Sequence, residues 1–504
     1  DLQQRIIGGP YLDNNPSLDK FEATVNISKH GESARIFPIA TAQTRVNHPE
    51  QAGHFSAAGG MGIIETGPLS KPLGKSVFVC DVVGNLVHRD LITENGPIFS
   101  GARAPEEQTK EFIASSDLNF RPIGLESGPD GALYLIDMQR EVIEHPDYIP
   151  QKVLEGMNVR GGEDRGRIYR ITPKNNILKS KLLPQSATTE QLLEMLGSTN
   201  IWQAETAHRL LYERGYNPKR AKNVRELWLS SRKNVDWNLI YECLNSDNTA
   251  LRENALILSG SNKTPEFSLK KMILMAANDT HPRIRFQAVL SLGNKSHPEK
   301  LSALVNYLLI DSQHSWSRKA AWTAIHGQAY ELLKLIVAEP KLFAASFDNH
   351  RGILLSEITE LAAKEANETV GFYDWLKSVD LMKIPSTDQV RLLEGLSAGW
   401  AKQSPNENIR KKAKACLERF SNLENAAQTL IALHRSLNEP LPPYLDIAWR
   451  SALTKIFNSN LSLEKRKALV SLLSETTDAE AQNALLKLLE SNVAPSLQPV
   501  SYTH

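Results

Sequence analysis

The side chains best suited to chemistry are imidazoles, guanidinium groups and carboxylates that stand beside short apolar runs in residues 1–174. Glu144-His145-Pro146 follows one such run, and an imidazole with a neighbouring carboxylate can take up a proton near neutral pH. Charged groups at strand ends can converge on one face of a barrel or propeller, where a pocket can bind an anionic cofactor or a sugar. A rigid loop with Glu144 in a structural ion pair explains the tripeptide equally well.

Several familiar catalytic motifs are absent from the sequence. It contains no nucleophile elbow, no phosphate-binding loop with Lys and Ser, no His-Glu-x-x-His and no Gly-x-Gly-x-x-Gly after a strand. Gly59-Gly60-Met61-Gly62 lacks the following helix that a phosphate site needs, so we predict a turn there. Cys80, Cys243 and Cys416 are too far apart to form a disulfide framework, a Cys-x-x-Cys zinc site or a haem-attachment motif.

Length and composition indicate a multidomain globular protein. The chain has 504 residues, of which 41% are hydrophobic and 23% charged, and at roughly 150 residues per domain this length predicts two to four domains. The 58 Lys and Arg residues nearly balance the 57 Asp and Glu residues, so no nucleic-acid partner is expected. The longest apolar run, Leu304 to Ile310, is much shorter than the ~20 residues that cross a bilayer, so we expect no membrane-spanning segment.

The chain changes character near residue 174. Of its 28 glycines, 19 lie in residues 1–174, and glycine supplies the positive φ that tight turns need. Gly128-Pro129-Asp130-Gly131 followed by an apolar run predicts a hairpin turn and a strand packed on both faces. Short β-type runs of this kind predict an all-β domain, and they occur at residues 76–80, 86–88, 132–136 and 167–171.

Helical periodicity takes over after residue 185, where an internal repeat is visible. Arg252, Arg285 and Arg318 recur at equal intervals, and an alanine follows each of them three positions later. Stacked helical pairs with this pattern form an α-solenoid, in which we expect the arginine to bond to neighbouring helix ends or carboxylates. The pattern resembles HEAT repeats. It predicts a linker at 175–187, a HEAT-like α-solenoid at 188–495 and a C-terminal tail at 496–504.

A longer series of motifs runs through residues 36–171. In chain order these motifs are Arg45-Val46-Asn47-His48-Pro49, Ala52-Gly53-His54-Phe55-Ser56, Val77-Phe78-Val79-Cys80-Asp81, Asn85-Leu86-Val87-His88-Arg89, Arg103-Ala104-Pro105-Glu106-Glu107, Ser115-Ser116-Asp117, Phe120-Arg121-Pro122, Gly128-Pro129-Asp130-Gly131-Ala132-Leu133-Tyr134, Ile143-Glu144-His145-Pro146 and Asp164-Arg165-Gly166-Arg167-Ile168-Tyr169-Arg170-Ile171. The series resembles the closing blades of the bacterial membrane-bound dehydrogenase-like propellers, also called PVC-type haem-binding proteins. That family joins a propeller similar to glucose and sorbosone dehydrogenases to HEAT-like helices and usually to a cytochrome c module.

The resemblance implies a multidomain β + α fold, with the C-terminal blades of a partial β-propeller at residues 1–174 followed by the HEAT-like α-solenoid. It implies an exported protein of the periplasm or cell envelope that oxidises a sugar or alcohol with PQQ and calcium. A c-type cytochrome would accept the electrons, and a protein partner could bind the solenoid. The residues implied as catalytic are His54, His145 and Glu144, and those implied as cofactor-binding are Arg121, Arg140 and Arg167.

The sequence departs from this family at three places. At about 40–45 residues per blade, residues 1–174 hold three to four blades, so the N-terminal blades are expected to be missing. The haem-attachment motif is absent, and Ser56-Ala57-Ala58-Gly59 stands where relatives tend to have a cysteine. The start at Asp1 has neither a Met nor a basic stretch before an apolar one, which predicts an internal break in a longer, exported chain.

Two other functions remain open on the sequence alone. A non-catalytic protein could use the propeller and the solenoid to hold a protein or polysaccharide at the cell envelope, which explains the long repeat tract without a compact catalytic motif. A hydrolytic or lyase propeller acting on polysaccharide would need converging carboxylates, for which Asp137 and Glu144 are the candidate pair. The arrangement of Arg121, Arg140 and His145 distinguishes oxidation from binding, because oxidation requires these groups to face one cavity.

Overall fold

The computed structural model shows antiparallel β-sheets followed by an α-solenoid, which confirms the predicted β + α fold class. Contacts divide the chain into two compact units, Asp1–Gly8 with Glu22–Lys271 and Gly9–Phe21 with Met272–His504. The structure describes residues 2–18, 21–28, 35–40, 53–64, 67–143, 145–174, 186–231, 235–260, 263–344, 348–366, 371–401, 407–423, 426–437, 439–476 and 478–490.

The described strands form antiparallel sheets. Strands β3 to β6 make a meander in chain order, to which β7 adds by pairing with β5, and strands β8 to β10 make a second meander. The first meander has four strands in order, as the blade of a propeller does. The number of blades stays a prediction. The strands are β1 (Gln3–Arg5), β2 (Thr24–Asn26), β3 (Ala58–Ile64), β4 (Ser76–Asp81), β5 (Leu86–Asn95), β6 (Ile98–Arg103), β7 (Ile113–Ala114), β8 (Pro122–Ser127), β9 (Leu133–Asp137) and β10 (Arg167–Ile171).

The predicted turn before β9 is present. Gly131 has a φ of 80°, and the Asp130 carboxylate accepts a hydrogen bond of 3.0 Å from the amide of Ala132. Residues alternate along β9, with Leu133 and Leu135 buried but Ile136 39% exposed. The prediction of a strand packed on both faces is therefore wrong, because only one face of β9 enters the core.

The segment Gly59-Gly60-Met61-Gly62 lies within strand β3, so the prediction of a turn there is wrong. The pairing of β3 with β4 shifts register between Gly59 and Met61, which places a β-bulge at Gly60. Gly60 has a φ of 53°, and a Cβ atom there would lie 2.0 Å from the carbonyl oxygen of Ile123 in β8. The two sheets can approach this closely only because the residue is glycine.

Helices of the solenoid stack on the helix two positions further along the chain, as α11 does on α13 and α15 on α17. Short helices α1 (Gly9–Leu12), α2 (Ser70–Leu73) and α3 (Gln151–Leu154) precede the solenoid. The longer described helices are α4 (Thr189–Leu196), α5 (Ile201–Glu213), α6 (Val224–Ser230), α7 (Trp237–Leu244), α8 (Thr249–Ser259), α9 (Glu266–Asn278), α10 (Pro282–Leu292), α11 (Lys300–Asp311), α12 (Ser315–Thr323), α13 (Ala329–Ala338), α14 (Pro340–Ala344), α15 (Asn349–Glu365), α16 (Phe372–Ser378), α17 (Ser386–Ala401), α18 (Glu407–Leu417), α19 (Ala427–Ser436), α20 (Pro443–Lys455), α21 (Leu463–Ser474) and α22 (Ala479–Glu490).

The repeated arginines join the two helices of a repeat. Each guanidinium donates to the carbonyl six residues earlier, just after the preceding helix ends. The donors are Arg252, Arg285 and Arg318, and the acceptors are the carbonyls of Ser246, Asp279 and Ser312, at 2.8, 2.6 and 2.6 Å. The last carbonyls of a helix lack partners inside it, so these bonds satisfy the helix ends. The expectation that this arginine bonds to neighbouring helix ends is confirmed.

Two of these arginines also bind carboxylates through two parallel hydrogen bonds. Arg285 contacts Asp311 at 2.6 and 2.7 Å. Arg318 contacts Glu357 at 3.0 and 3.1 Å. A further arginine, Arg351, stands one more repeat interval after Arg318 and contacts Asp388 at 3.0 and 2.9 Å. Sequence reasoning missed Arg351 because the alanine that marks the other copies is replaced by leucine. Because two-point guanidinium–carboxylate pairs fix orientation as well as distance, they set the stacking of the helices.

Replacing Gly60 with alanine tests the close approach of the sheets. We expect Gly60→Ala to lower the free energy of unfolding by about 2 kcal/mol or more, because the new Cβ strains a positive φ and meets backbone atoms. Gly59→Ala is the matched control, since a Cβ atom there meets nothing within 4 Å, and it should change the free energy by less than about 0.5 kcal/mol. Urea denaturation followed by circular dichroism measures both, and equal shifts would contradict the assignment.

Candidate functional site

A surface groove of about 510 Å³ lies in the β part of the first unit. Its lining includes His54, one of the predicted catalytic residues, and the exposed cations Arg35 and Lys110. The described residues that line it are Arg35, Ile36, Phe37, Pro38, Ile39, Gly53, His54, Thr109 and Lys110. These residues combine positive charge with apolar surface, and their described members include no carboxylate.

Backbone pairing brings the two sides of the groove together. Arg35 and His54 form an isolated antiparallel bridge, and the amide of Ile36 donates to the carbonyl of Gly53 at 2.9 Å. This pairing holds the Arg35 and His54 side chains on neighbouring segments. The groove is therefore built by backbone hydrogen bonds between residues that are distant in sequence.

A buried ion pair between Arg103 and Glu111 holds Phe37 in place. The amide of Phe37 donates to Oε1 of Glu111 at 2.8 Å, and the same oxygen accepts from Nη2 of Arg103 at 2.8 Å. The Arg103 guanidinium lies 4.8 Å from the centre of the Phe37 ring, within cation–π range. Because Arg103 and Glu111 fix both the backbone and the ring of Phe37, this wall of the groove is preorganised.

The same carboxylate belongs to a buried triad. His88, in strand β5, is 2% exposed, and its Nδ1 lies 2.8 Å from Oε2 of Glu111. Its Nε2 lies 3.2 Å from Oδ1 of Asp90, which follows two residues later on the same face of the strand. The Phe55 ring meets the imidazole edge-on at 5.3 Å. His88 therefore links the strand to the wall of the groove.

The triad carries paired charges. Burial lowers the pKa of His88, but the hydrogen bonds and negative charges of Asp90 and Glu111 outweigh it, so the pKa is raised above its ordinary value. Burial raises the pKa of Glu111, but the hydrogen bonds from His88 and Arg103 outweigh it, so that pKa is lowered. Both nitrogens of His88 can donate to these carboxylates in the charged form, which is the form that the raised pKa favours.

Arg121 is bound to backbone carbonyls. Its Nε donates to the carbonyl of Arg140 at 2.8 Å, and its two Nη atoms donate to the carbonyls of Val82 and Glu141 at 2.7 and 2.9 Å. Burial lowers the pKa of Arg121, although three nearby carboxylates oppose this. The guanidinium thus binds two loop segments of the β part, one at Val82 and one at Arg140-Glu141.

The other predicted residues differ in their exposure and in their contacts. His145 is 65% exposed and lies 3.8 Å from a carboxylate oxygen of Asp147. Arg167 is exposed, and its contact is 3.4 Å to the hydroxyl of Tyr169. Arg140 is half-buried. Of the six predicted site residues, the described lining of the groove includes His54 alone, and Glu144 lies outside the described residues.

Asp137, the carboxylate considered for a hydrolytic site, is 1% exposed. Its Oδ1 accepts from the amides of Arg121 and Gln139 at 2.8 and 2.9 Å. This carboxylate therefore joins the residue before β8 to the loop that follows β9. Its intended partner Glu144 lies outside the described residues, so the pairing stays a prediction.

Sequence reasoning missed most of the groove. Arg35, Phe37 and Lys110 stand in no motif that indicates binding, and the pairing of His88 with Glu111 spans 23 residues. One pattern could have revealed the triad. His88-Arg89-Asp90 is a run of charged residues inside a strand that begins with the apolar pair Leu86-Val87, and all three are buried. Buried charges require partners, so this run predicts carboxylates and cations around it.

No group of three His, Cys, Asp or Glu side chains is placed to hold a metal ion in the part of the chain that the structure describes. Among the described helices, none is long and apolar enough to cross a membrane.

Comparison with known families places a match on the β part. A family model described as "Domain of unknown function (DUF7133)" matches residues 2–175. The match ends four residues after β10, so the β-rich part is similar to this domain and the solenoid helices lie beyond it. Neither a curated protein nor a solved structure was found to match the chain.

The pH dependence of stability tests the charged state of His88. Because its pKa is raised above 6.5 in the folded protein, the stabilisation by protonated His88 is complete below about pH 6.5 and is lost as pH rises through the raised pKa. Unfolding free energies of wild type and His88→Gln should differ by about 1–3 kcal/mol at low pH and by less at high pH.

Urea denaturation of the full chain, at about pH 6 and about pH 9, measures this difference. His145→Gln is the control, because its exposed side chain should contribute little to the free energy of unfolding at either pH. If the difference in unfolding free energy between wild type and His88→Gln grew with rising pH, the folded protein would instead favour the neutral form of the His88 side chain.

Proposed function

We propose that this chain is a non-catalytic binding protein, in which the β part holds an acidic saccharide and the solenoid presents a surface for a protein partner. The observation that carries the proposal is the groove, which is lined by Arg35, Lys110 and His54 together with an apolar wall that includes Phe37 and Pro38. Cations can pair with the carboxylates of an acidic sugar, and apolar and aromatic side chains pack against the faces of its rings. The resemblance to envelope propellers supports the same class of ligand.

Preorganisation of the wall supports binding. Glu111 and Arg103 hold Phe37 before a ligand arrives, so little side-chain entropy is lost when the ligand packs against the ring. The cations themselves are exposed at the rim, where they can attract an anion from solution. A rigid apolar wall with a charged rim is an arrangement suited to specific and reversible binding.

The positions of the other candidates also favour binding over oxidation. Oxidation requires a base and anion-holding cations around one cavity. Arg121 instead donates to three backbone carbonyls, and His145 is largely exposed beside Asp147. These contacts give both side chains a role in loop structure or at the surface, which a binding protein explains without further assumptions.

The second candidate function is a quinoprotein-like oxidation of a sugar or alcohol, and the position of His54 favours it. Arg35 and Lys110 are suited to hold the carboxylates of PQQ, and His54 is suited to accept a hydroxyl proton from a bound sugar. Bound PQQ would supply the two-electron oxidising group. Calcium fits less well, because it prefers several oxygen ligands and Thr109 is the one side chain with a neutral oxygen in the described lining.

Binding of oligogalacturonate tests the proposed function. We expect isothermal titration calorimetry to detect this acidic oligosaccharide with wild type, and Lys110→Ala to weaken its binding about tenfold, because one charged contact is lost. Lys152→Ala is the matched control, since it removes the same charge at an exposed site in α3, and it should leave the affinity unchanged.

Failure to bind oligogalacturonate, or an equal effect of the two lysine substitutions, would contradict the proposal. The oxidoreductase candidate makes a different prediction. Addition of PQQ and calcium to the full chain would then allow a redox dye to be reduced across a panel of sugars, and His54→Gln would abolish that reduction.

A further inference from the structure

The segment Gly9–Phe21 belongs to the compact unit that contains Met272–His504, which we call the helical unit. The chain on both sides of this segment belongs to the unit that holds the β-sheets. The segment begins with the single turn of α1 and continues as a compact turn, in which the amide of Leu18 donates to the carbonyl of Asn15 at 3.2 Å. Its partners are helices α10 and α12, which are distant from it in sequence. We call Gly9–Phe21 the docking segment.

Asn15 is the centre of the contact. It is 1% exposed, and its Nδ2 donates to the carbonyl of Trp322 at 2.7 Å. Helix α12 ends at Thr323, so this carbonyl belongs to the last turn, where helix carbonyls need an external donor. The Asn15 side-chain oxygen accepts from the amide of Ser17 at 3.0 Å, which fixes the amide group in its donating orientation. Both the nitrogen and the oxygen of the buried Asn15 side chain are therefore hydrogen-bonded.

The docking segment also contacts α10 through polar side chains. Gln287 in α10 donates to the hydroxyl of Tyr11 at 3.1 Å. Gly293, which follows the end of α10, has a φ of 42°, and a Cβ atom there would lie 2.7 Å from Nδ2 of Asn14. The glycine therefore leaves room for Asn14. Two consecutive asparagines of the docking segment lie at the C-terminal ends of two stacked helices.

An aromatic contact completes the surface. The Phe21 ring lies 6.3 Å from the ring of Trp316 in α12. The Lys319 ammonium lies 4.6 Å from the centre of the Phe21 ring and 4.4 Å from that of Trp316. A cation shared by two rings favours this arrangement over solvation of each group alone. The helical unit thus recognises an amide, a hydroxyl and an aromatic ring at three separate places.

We propose that the ends of α10 and α12 form a peptide-recognition surface whose ligand is the docking segment, and that this surface can exchange its own segment for that of a second copy of the chain. A second copy supplies the identical donors and the identical ring, so every contact of the original segment is restored in the exchanged state. The surface therefore favours a self-complementary partner, and the interaction is independent of the groove in the β part.

A labelled peptide of residues 8–22 tests the proposal on the full chain. We expect wild type, whose surface is occupied, to bind the peptide weakly by fluorescence anisotropy. The full-chain variant Asn15→Ala weakens its own segment and should bind the peptide at least about tenfold more tightly, since one buried hydrogen bond to a backbone carbonyl is lost. Circular dichroism confirms that the variant is folded. The matched control is a peptide that carries Asn15→Ala, which should bind the Asn15→Ala chain about tenfold more weakly than the unsubstituted peptide does.

A second variant keeps the test decisive if Asn15→Ala fails to fold. Full-chain Lys319→Ala removes the shared cation but leaves the docking segment unchanged, and it should reduce exchange between donor-labelled and acceptor-labelled chains measured by energy transfer. Lys334→Ala in α13 removes the same charge and contacts Tyr330 instead, so exchange should be preserved. Absence of exchange in wild type together with absence of peptide binding to Asn15→Ala would overturn the proposal, as would equal binding of both peptides.

Discussion

A charged side chain that leaves water must find an opposite charge or a full set of hydrogen bonds, and this requirement shapes both units of the protein. In the helical unit, buried Arg285, Arg318 and Arg351 each hold a carboxylate with two hydrogen bonds. In the β part, His88 lies between Glu111 and Asp90. Removal of the carboxylate from one of the arginine pairs would cost about 3–5 kcal/mol, because an uncompensated charge would stay buried.

The same requirement decides which residues are available for chemistry. A general base needs a free lone pair and access to the substrate. His88 has both nitrogens within hydrogen-bond distance of carboxylates, and the three donor nitrogens of Arg121 reach backbone carbonyls. The side chains that look most reactive by type are therefore those that the β part uses to hold its loops. The groups left at the surface, Arg35, Lys110 and His54, are suited to binding.

Features that depend on residues close in sequence could be predicted from the sequence. Features that depend on a contact with a residue far along the chain could not. The arginine repeat could be recognised because the arginines recur at equal intervals in the sequence. The hydrogen bond from Arg285 to the end of the preceding helix spans only six residues. Gly60 was misread as part of a turn because a glycine run fits a turn and a close strand crossing equally, and the atom that requires glycine belongs to Ile123 in another strand. The wall of the groove was missed for the same reason, since Glu111 and Phe37 are 74 residues apart.

The boundary between the parts shows the limit of reading domains from secondary structure. Strands end at Ile171 and helices resume at Thr189 among the described residues, yet the compact unit of the β part continues to Lys271. The contacts explain this difference. Asn200, which caps α5, donates to the carbonyls of Gly128 and Pro129 at 3.2 and 3.0 Å, and Gln203 donates to Pro129 at 2.8 Å.

These three bonds satisfy carbonyls of the turn that precedes β9, where Gly131 has a positive φ and no side chain to cover the backbone. The Gly128 carbonyl also accepts from the amide of Gly131 at 2.9 Å. Loss of the bonds to the Pro129 carbonyl would carry a desolvation cost of about 1–3 kcal/mol. Helix α5 removes that cost, and it lies beyond the residues that match the family of unknown function. The start of α5 therefore contributes to holding the turn before β9 in place.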